Sequence, residues 1–128
     1  MLDFKMNICL NIFMAITNIN ANEFKEMLED EAGSIEVVDV REPDEYTLIK
    51  VKGSNNIPMS VIPLKINDIN WNKKVVLLCK SGARSSHIAK LLASTGKNVL
   101  NLVGGIYALN QMNCPRLEKS SNCCQGYL

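Results

Sequence analysis

The chain has 128 residues, 47% of them hydrophobic, and a formal net charge of +1. A chain of this length suits one compact domain and has enough apolar side chains to bury a core. The near-neutral charge argues against a general nucleic-acid binder, which would carry a large basic excess. The partly apolar stretch MNICLNIFMAI is far short of the ~20 residues that a membrane span needs, so no membrane partner is expected.

The charge is unevenly distributed along the chain. Residues 20–45 carry ten acidic and two basic side chains, whereas residues 46–128 carry eleven basic and two acidic side chains. A basic region can concentrate small anions near it. Alternatively, the two parts pair with each other across the fold. The sequence leaves both interpretations open.

Five cysteines occur at irregular spacing: Cys9, Cys79, Cys114, Cys123 and Cys124. An odd number without a C-x-x-C pair does not fit a disulfide framework and indicates a reducing compartment, which we take to be the cytoplasm. His87 is the single histidine. The sequence therefore supports no metal site.

The domain begins near Met14, because MAITNINANEFKEML is typical of a natural domain start. We interpret residues 1–13 as an N-terminal extension. A signal peptide is less favoured, since Asn7 and Asn11 interrupt the apolar run and no convincing cleavage site follows.

The first part of the domain alternates short strands and helices. A strand is predicted over 16–19, and Asn20 with Glu23 predicts a capping box at the start of the first helix. The β-branched run over 35–40 predicts a second strand. Pro43 suits the first turn of a short helix.

The second part continues this alternation. A very short strand is predicted over 56–57 and a short helix over 60–66. The apolar run KKVVLLC, residues 73–79, is typical of a central parallel strand that is covered on both faces. The remaining elements are a helix from Ser85 to Gly96, a strand over 98–103 and a short helix after the double glycine.

This order predicts an α/β domain over residues 14–115, with a mainly parallel central sheet of about five strands and helices on both faces. Residues 116–128 show no periodicity, and we expect them to form a loose cysteine-containing tail.

Cys79 is placed at the carboxyl end of the predicted central strand, where open α/β sheets bind their ligands. Small residues around Gly82 let the following backbone curl and direct N–H groups inward. Those groups, together with Lys80 and Arg84, would lower the pKa of the thiol. We expect a thiolate nucleophile whose charged product, such as a persulfide, is held by the same donors. The alternative is a buried structural cysteine.

Four segments, in order, resemble the rhodanese-like sulfurtransferase domain. VVDVREPDEY is similar to D-x-R-E-x-x-E-[YF], KGSNNIP to G-A-x-N-I-P, VVLLCKSGARS to a strand followed by C-x-x-G-x-R-S, and NVLNLVGGIYAL to L-x-G-G-[IMF]-x-x-[WL]. The resemblance covers residues 16–115. It implies a single-domain thiosulfate sulfurtransferase that holds the outer sulfur of thiosulfate as a persulfide and gives it to cyanide, a thiol or a sulfur-relay protein. It implies no metal or organic cofactor.

The resemblance also implies roles for individual residues. Cys79 matches the nucleophile. Asp39 and Arg41 match the D-x-R pair, whose expected role is to brace the loop and shape the cleft. The persulfide-binding loop comprises the six residues after the cysteine: Lys80, Ser81, Gly82, Ala83, Arg84 and Ser85.

The chain departs from the family pattern at two positions. Lys50 in IKVKG replaces the usual histidine and would add positive charge if its segment lies on the same side as the cysteine. Tyr107 comes one place earlier than the usual aromatic residue.

Two rival functions share the cysteine. A cysteine phosphatase or arsenate reductase uses C-x5-R, whereas Cys79 and Arg84 give C-x4-R, and no aspartate is obviously placed as a general acid. A persulfide carrier or binding module without turnover cannot be separated by sequence from a free-standing enzyme.

The remaining candidate residues have predicted roles outside the chemistry. His87 is expected to face solvent on the helix after the loop rather than to act as a base. Cys114, Cys123 and Cys124 are expected to be inert, with sulfur relay as the alternative.

Overall fold

The computed structural model describes residues 16–121, 123 and 126–128. Strands and helices alternate through them. The strands are β1 (Ile16–Ile19), β2 (Ile35–Asp39), β3 (Ile49–Val51), β4 (Asn55–Asn56), β5 (Lys74–Leu78), β6 (Val99–Leu102) and β7 (Leu117–Lys119). The helices are α1 (Ala21–Glu31), α2 (Pro43–Leu48), α3 (Ile62–Lys65), α4 (Ala83–Ser94) and α5 (Gly105–Gln111). Short 3₁₀ turns occupy Ala32–Ser34, Met59–Val61 and Ile66–Asp68.

Five parallel strands form the main sheet in the order β1-β6-β5-β2-β4. The predicted α/β fold with about five mainly parallel strands is therefore confirmed. From β2 the chain continues outward to β4, whereas from β5 it continues to β6 on the other side. The carboxyl ends of β2 and β5 thus form a topological switch point, which is where such sheets bind ligands.

Apolar side chains bury both faces of the sheet. Along β5, Val76 and Leu78 join the cluster under α1 and α5, whereas Val75 and Leu77 join the cluster under α3 and α4. This two-residue alternation follows from strand geometry. Each fully buried valine or leucine contributes about 1.5–3 kcal/mol, so the strand that carries Cys79 is firmly held.

Local sequence signals set the ends of the helices. Asn20 Oδ1 accepts a hydrogen bond from the Glu23 amide at 2.8 Å, and the Asn20 amide donates to Glu23 Oε1 at 3.0 Å. The predicted capping box at the start of α1 is therefore present. Helix α2 begins at Pro43, as predicted.

Some predicted elements differ from the structure. Helix α4 begins at Ala83 rather than Ser85, so the first helical turn includes part of the predicted loop. The helix predicted over 60–66 is divided between α3 and two 3₁₀ turns. No strand was predicted over Ile49–Val51. Within the described residues, no helix is both long and apolar enough to cross a membrane.

The prediction of a loose tail after Pro115 is wrong for the segment that forms β7. This strand pairs antiparallel with β3, with Val51 opposite Leu117 and Ile49 opposite Lys119. Three-residue strands are too short to produce a recognisable alternation, and their partners lie far apart in the chain. The predicted extension over residues 1–13 lies outside the described residues.

Candidate active site

Cys79 follows β5 directly and lies at the carboxyl end of the sheet, as predicted. The residue is only 1% exposed and packs in the cluster under α3 and α4. In the neighbouring strand, Asp39 is in register with Leu78, which places the predicted supporting pair beside the cysteine. The sheet therefore brings together two segments that are far apart in sequence.

Hydrogen-bond donors converge on the sulfur. The Gly82 amide donates to Cys79 Sγ at 3.0 Å. The Ser85 hydroxyl shares its single proton between Cys79 Sγ at 3.5 Å and the Gly82 carbonyl oxygen at 3.2 Å. Gly82 has a φ of +103°, and a Cβ there would lie 3.2 Å from the Gly104 amide nitrogen. Glycine is therefore required where the loop turns into α4.

Hydrogen bonds, not cations, are the main reason why the pKa of Cys79 is lowered. Burial by itself raises this pKa. The Ser85 hydroxyl and the amides of Ser85, Gly82 and Ser81 outweigh burial and shift the pKa below its usual value. An amide donor favours the charged acceptor because it stabilises the thiolate more than the thiol. Of these amides, that of Gly82 lies within hydrogen-bond distance of Sγ, at 3.0 Å.

The start of α5 holds the backbone of the cysteine loop. The Ile106 amide donates to the Cys79 carbonyl at 2.9 Å, and the Tyr107 amide donates to the Lys80 carbonyl at 3.0 Å. A Cβ on Gly105 would overlap both carbonyl oxygens. The double glycine supported the family resemblance, but its role in holding Cys79 was not predicted from the sequence.

The Asp39–Arg41 pair is fully buried. Arg41 Nη2 contacts Asp39 Oδ2 at 2.7 Å and donates to the Ile49 carbonyl at 2.6 Å. Burial would lower the pKa of Arg41, but its hydrogen bonds to Asp39 raise it. Arg41 Nη1 also reaches the Glu45 carbonyl at 3.3 Å. The pair therefore braces α2 and the start of β3.

Arg84 does not donate to the sulfur through its guanidinium. Its Nη1 and Nη2 bind the two oxygens of Glu45 at 2.7 and 2.9 Å. This pairing is the largest cause that lowers the pKa of Glu45 to about 2, and burial opposes it. Arg84, which was expected to supply a cation to the thiol, is thus paired directly with Glu45 and interacts with Cys79 only through its charge. Glu45 was missed as a site residue, although the quoted D-x-R-E-x-x-E-[YF] pattern contains it.

Tyr127, near the C-terminus, meets the same group of residues. Its hydroxyl donates to Glu45 Oε2 at 2.7 Å and accepts from Arg41 Nη1 at 3.1 Å. Lys80 Nζ lies 4.5 Å from the centre of its ring. Sequence reasoning missed Tyr127, because it lies in a segment without any recognisable pattern.

The other predicted residues occupy varied positions. Ser81 and Ala83 are exposed, and Ser81 acts on the sulfur through its amide. His87 is exposed on α4, as predicted. Lys50 lies 5.0 Å from the Tyr46 ring centre and 4.0 Å from a Glu118 oxygen.

The remaining cysteines differ in burial. Cys114 is buried in the cluster under α1 and α5, and the half-buried Cys123 packs against that cluster. Cys9 and Cys124 lie outside the described residues.

A model of the rhodanese-like domain matches residues 20–112. The chain belongs to the rhodanese-like domain family. This confirms the resemblance drawn from the four sequence segments, and the match ends before β7 and Tyr127.

Among the relatives of this rhodanese-like chain, a sulfurtransferase of Allochromatium vinosum is 32% identical over 101 residues, which cover 78% of this chain and 94% of that protein. YrkF of Bacillus subtilis, provisionally named a sulfur carrier protein, is 31% identical over 93 residues, 72% of this chain, and the match spans only 50% of YrkF. The crystal structure of a rhodanese-like domain protein from Staphylococcus aureus is 30% identical, with a TM-score of 0.70 and coverage of 82% of this chain and 99% of that chain.

Proposed function

We propose that this rhodanese-like protein is a sulfurtransferase in which Cys79 takes a sulfane sulfur from a small anionic donor such as thiosulfate. The observation that carries the proposal is the convergence of the Gly82 amide and the Ser85 hydroxyl on Cys79 Sγ. These donors favour the thiolate, which is the nucleophilic form. The sulfurtransferase and sulfur-carrier names of its relatives support the same reaction class.

In the first half-reaction, the Cys79 thiolate attacks the outer sulfur of thiosulfate. A new S–S bond forms, the S–S bond of the donor breaks, and its electron pair leaves with sulfite. The protein then carries Cys79–S–S⁻, with the same single negative charge as the thiolate. Because that charge stays within the loop, the N–H groups that favour the thiolate also stabilise the persulfide.

In the second half-reaction, a thiophilic acceptor attacks the outer sulfur of the persulfide. Cyanide leaves as thiocyanate, or a thiolate leaves as a persulfide, and the electron pair of the broken bond returns to Cys79. No oxidant or reductant is needed. Because Cys79 is only 1% exposed, a single added sulfur atom fits the loop better than a bulky group.

A cysteine phosphatase is disfavoured by the position of Arg84. Such an enzyme needs its arginine to bind a tetrahedral oxyanion, whereas both terminal nitrogens of Arg84 are engaged by Glu45. A carrier that accepts sulfur without turnover remains the second candidate, and the name of YrkF favours it. The two differ in whether a small acceptor regenerates Cys79 repeatedly.

Replacing the nucleophile tests the proposal. We expect Cys79→Ser to lower the rate of thiocyanate formation from thiosulfate and cyanide about a thousandfold or more, because the hydroxyl does not become an oxyanion nucleophile at neutral pH. Intact-mass measurement after thiosulfate treatment should show one added sulfur on the wild-type protein and none on the variant.

Cys123→Ser is the matched control and should still gain the sulfur. Near-wild-type turnover by a folded Cys79→Ser variant would refute the assignment. One added sulfur without repeated thiocyanate formation would favour the carrier.

A further inference from the structure

The segment that follows the family match contributes Tyr127 to the cysteine loop. Tyr127 lies beyond residues 112 and 115, where the family match and the domain predicted from sequence end. It is half-buried, packs against the cluster under α1 and α5, and contacts Arg41, Glu45 and Lys80. One side chain near the C-terminus therefore joins α2 to the loop.

The two cations of the loop are held differently. The Arg84 guanidinium is neutralised by a bidentate pair with Glu45. Lys80 directly follows Cys79, and within the described residues no carboxylate pairs with it. Its ammonium instead lies 4.5 Å from the Tyr127 ring centre. The face of a phenol ring attracts an ammonium without cancelling its charge.

The ring is itself fixed by its hydroxyl. That hydroxyl donates to Glu45 and accepts from Arg41, and both partners are held by further hydrogen bonds. An ordered ring restricts the long lysine side chain before any anion binds. Without the ring, the side chain would lose rotamer entropy on binding the anion. The position of the Lys80 charge thus depends on Tyr127.

We propose that Tyr127 is a positioning residue that holds the Lys80 ammonium beside the cysteine loop and so gives Cys79 its preference for anionic reagents. For the sulfur donor this rests on the proposed function. The charge preference itself is a property of the thiol site and is measurable without sulfur transfer.

Competitive alkylation measures that preference directly. The Cys79 thiolate displaces iodide from both iodoacetate and iodoacetamide. The two reagents have similar size, but only iodoacetate is an anion. The ratio of the two products on the Cys79 peptide is quantified by mass spectrometry. We expect Tyr127→Leu and Lys80→Ala each to lower the ratio of the iodoacetate product to the iodoacetamide product about threefold to fivefold, because each removes or displaces the charge that attracts the anion.

A double-mutant cycle tests whether Tyr127 acts through Lys80. The double variant should have the same ratio as Lys80→Ala alone, because the ring has no ammonium left to hold. Tyr127→Phe keeps the ring but removes the hydroxyl that fixes it, so its ratio should fall between those of wild type and Tyr127→Leu. Lys97→Ala is the matched control, since Lys97 lies 5.1 Å from the Trp71 ring at the opposite end of β5, and it should not change the ratio.

A wild-type ratio in Tyr127→Leu would overturn the proposal, as would independent losses in the double variant or an equal loss in Tyr127→Phe. Deletion of residues 127–128 replaces Tyr127→Leu if that variant does not fold. If the ratios behave as expected but Cys79→Ser still transfers sulfur, the proposed function fails and the charge-positioning role of Tyr127 stands.

Discussion

At the scale of single residues, the thiol depends on two opposing effects of its position. Burial at the end of β5 disfavours the thiolate, and the Ser85 hydroxyl and three amides reverse that effect. The sequence predicted a cysteine with a lowered pKa but assigned much of the effect to cations. It could not show that Arg84 would pair with Glu45, since the two lie 39 positions apart and meet only through the fold.

Removing the Ser85 hydroxyl should raise the pKa of Cys79. We expect Ser85→Ala to move the pH dependence of Cys79 alkylation upward by on the order of one pH unit, because one hydrogen bond to the charged form is lost. Rates of iodoacetamide modification of the Cys79 peptide between pH 5 and 10 measure the shift.

The adjacent Ser86→Ala is the matched control. The Ser86 amide donates to the Gly82 carbonyl, and that backbone bond survives the substitution. The pH dependence of Cys79 alkylation in Ser86→Ala should match that of wild type. If Ser85→Ala also matches wild type, the role of the hydroxyl is disproved.

At the scale of secondary-structure elements, the elements that the sequence predicted correctly are those that depend on neighbouring residues. The capping box at Asn20, Pro43 at the start of α2 and the apolar run of β5 could be identified from sequence because neighbouring residues determine them. The β3–β7 pair could not, since each strand has three residues and its partner is distant. The contact between the start of α5 and the cysteine loop is also non-local.

Gly105 tests that contact between elements. A Cβ there would overlap the Cys79 and Lys80 carbonyl oxygens, and its φ of +55° is unfavourable for other residues. We expect Gly105→Ala to lower the free energy of unfolding in urea by about 2 kcal/mol or more and to slow Cys79 alkylation, because the loop must shift.

Gly33→Ala is the control for this substitution, since its added Cβ would meet nothing within 4 Å. It should change the free energy of unfolding by less than about 0.5 kcal/mol. Equal stability of the two variants would contradict the tight approach between α5 and the loop.

At the scale of the whole molecule, the acidic and basic parts of the chain meet. Glu31 contacts Lys74 at 2.9 Å and Glu45 contacts Arg84 at 2.7 Å, which supports the pairing interpretation of the uneven charge. Glu45 also accepts from Tyr127, so α2, α4 and the C-terminal segment converge on one carboxylate. Composition indicated two complementary parts, but only the fold determines which residues pair.

This convergence predicts how stability depends on pH. The pKa of Glu45 is lowered from 4.5 to about 2 in the folded protein, chiefly by its hydrogen bonds to Arg84, with burial opposing. A carboxylate with a depressed folded pKa stabilises the protein fully above its unfolded pKa, and that contribution is lost as the pH falls from about 4.5 to about 2.

Glu45→Gln removes this titration with little change in shape. The wild-type protein should be more stable than the variant at pH 7, and the difference should shrink steadily as the pH falls through that window. Urea unfolding at several pH values measures the difference in the free energy of unfolding between the two proteins. The contributions of the carboxyl groups that both proteins share cancel in this difference. Glu29→Gln, which removes only an exposed pair with Lys25, should change the free energy of unfolding by less than about 0.5 kcal/mol at each pH. A constant difference between wild type and Glu45→Gln would mean that the carboxylate charge does not hold these three segments together.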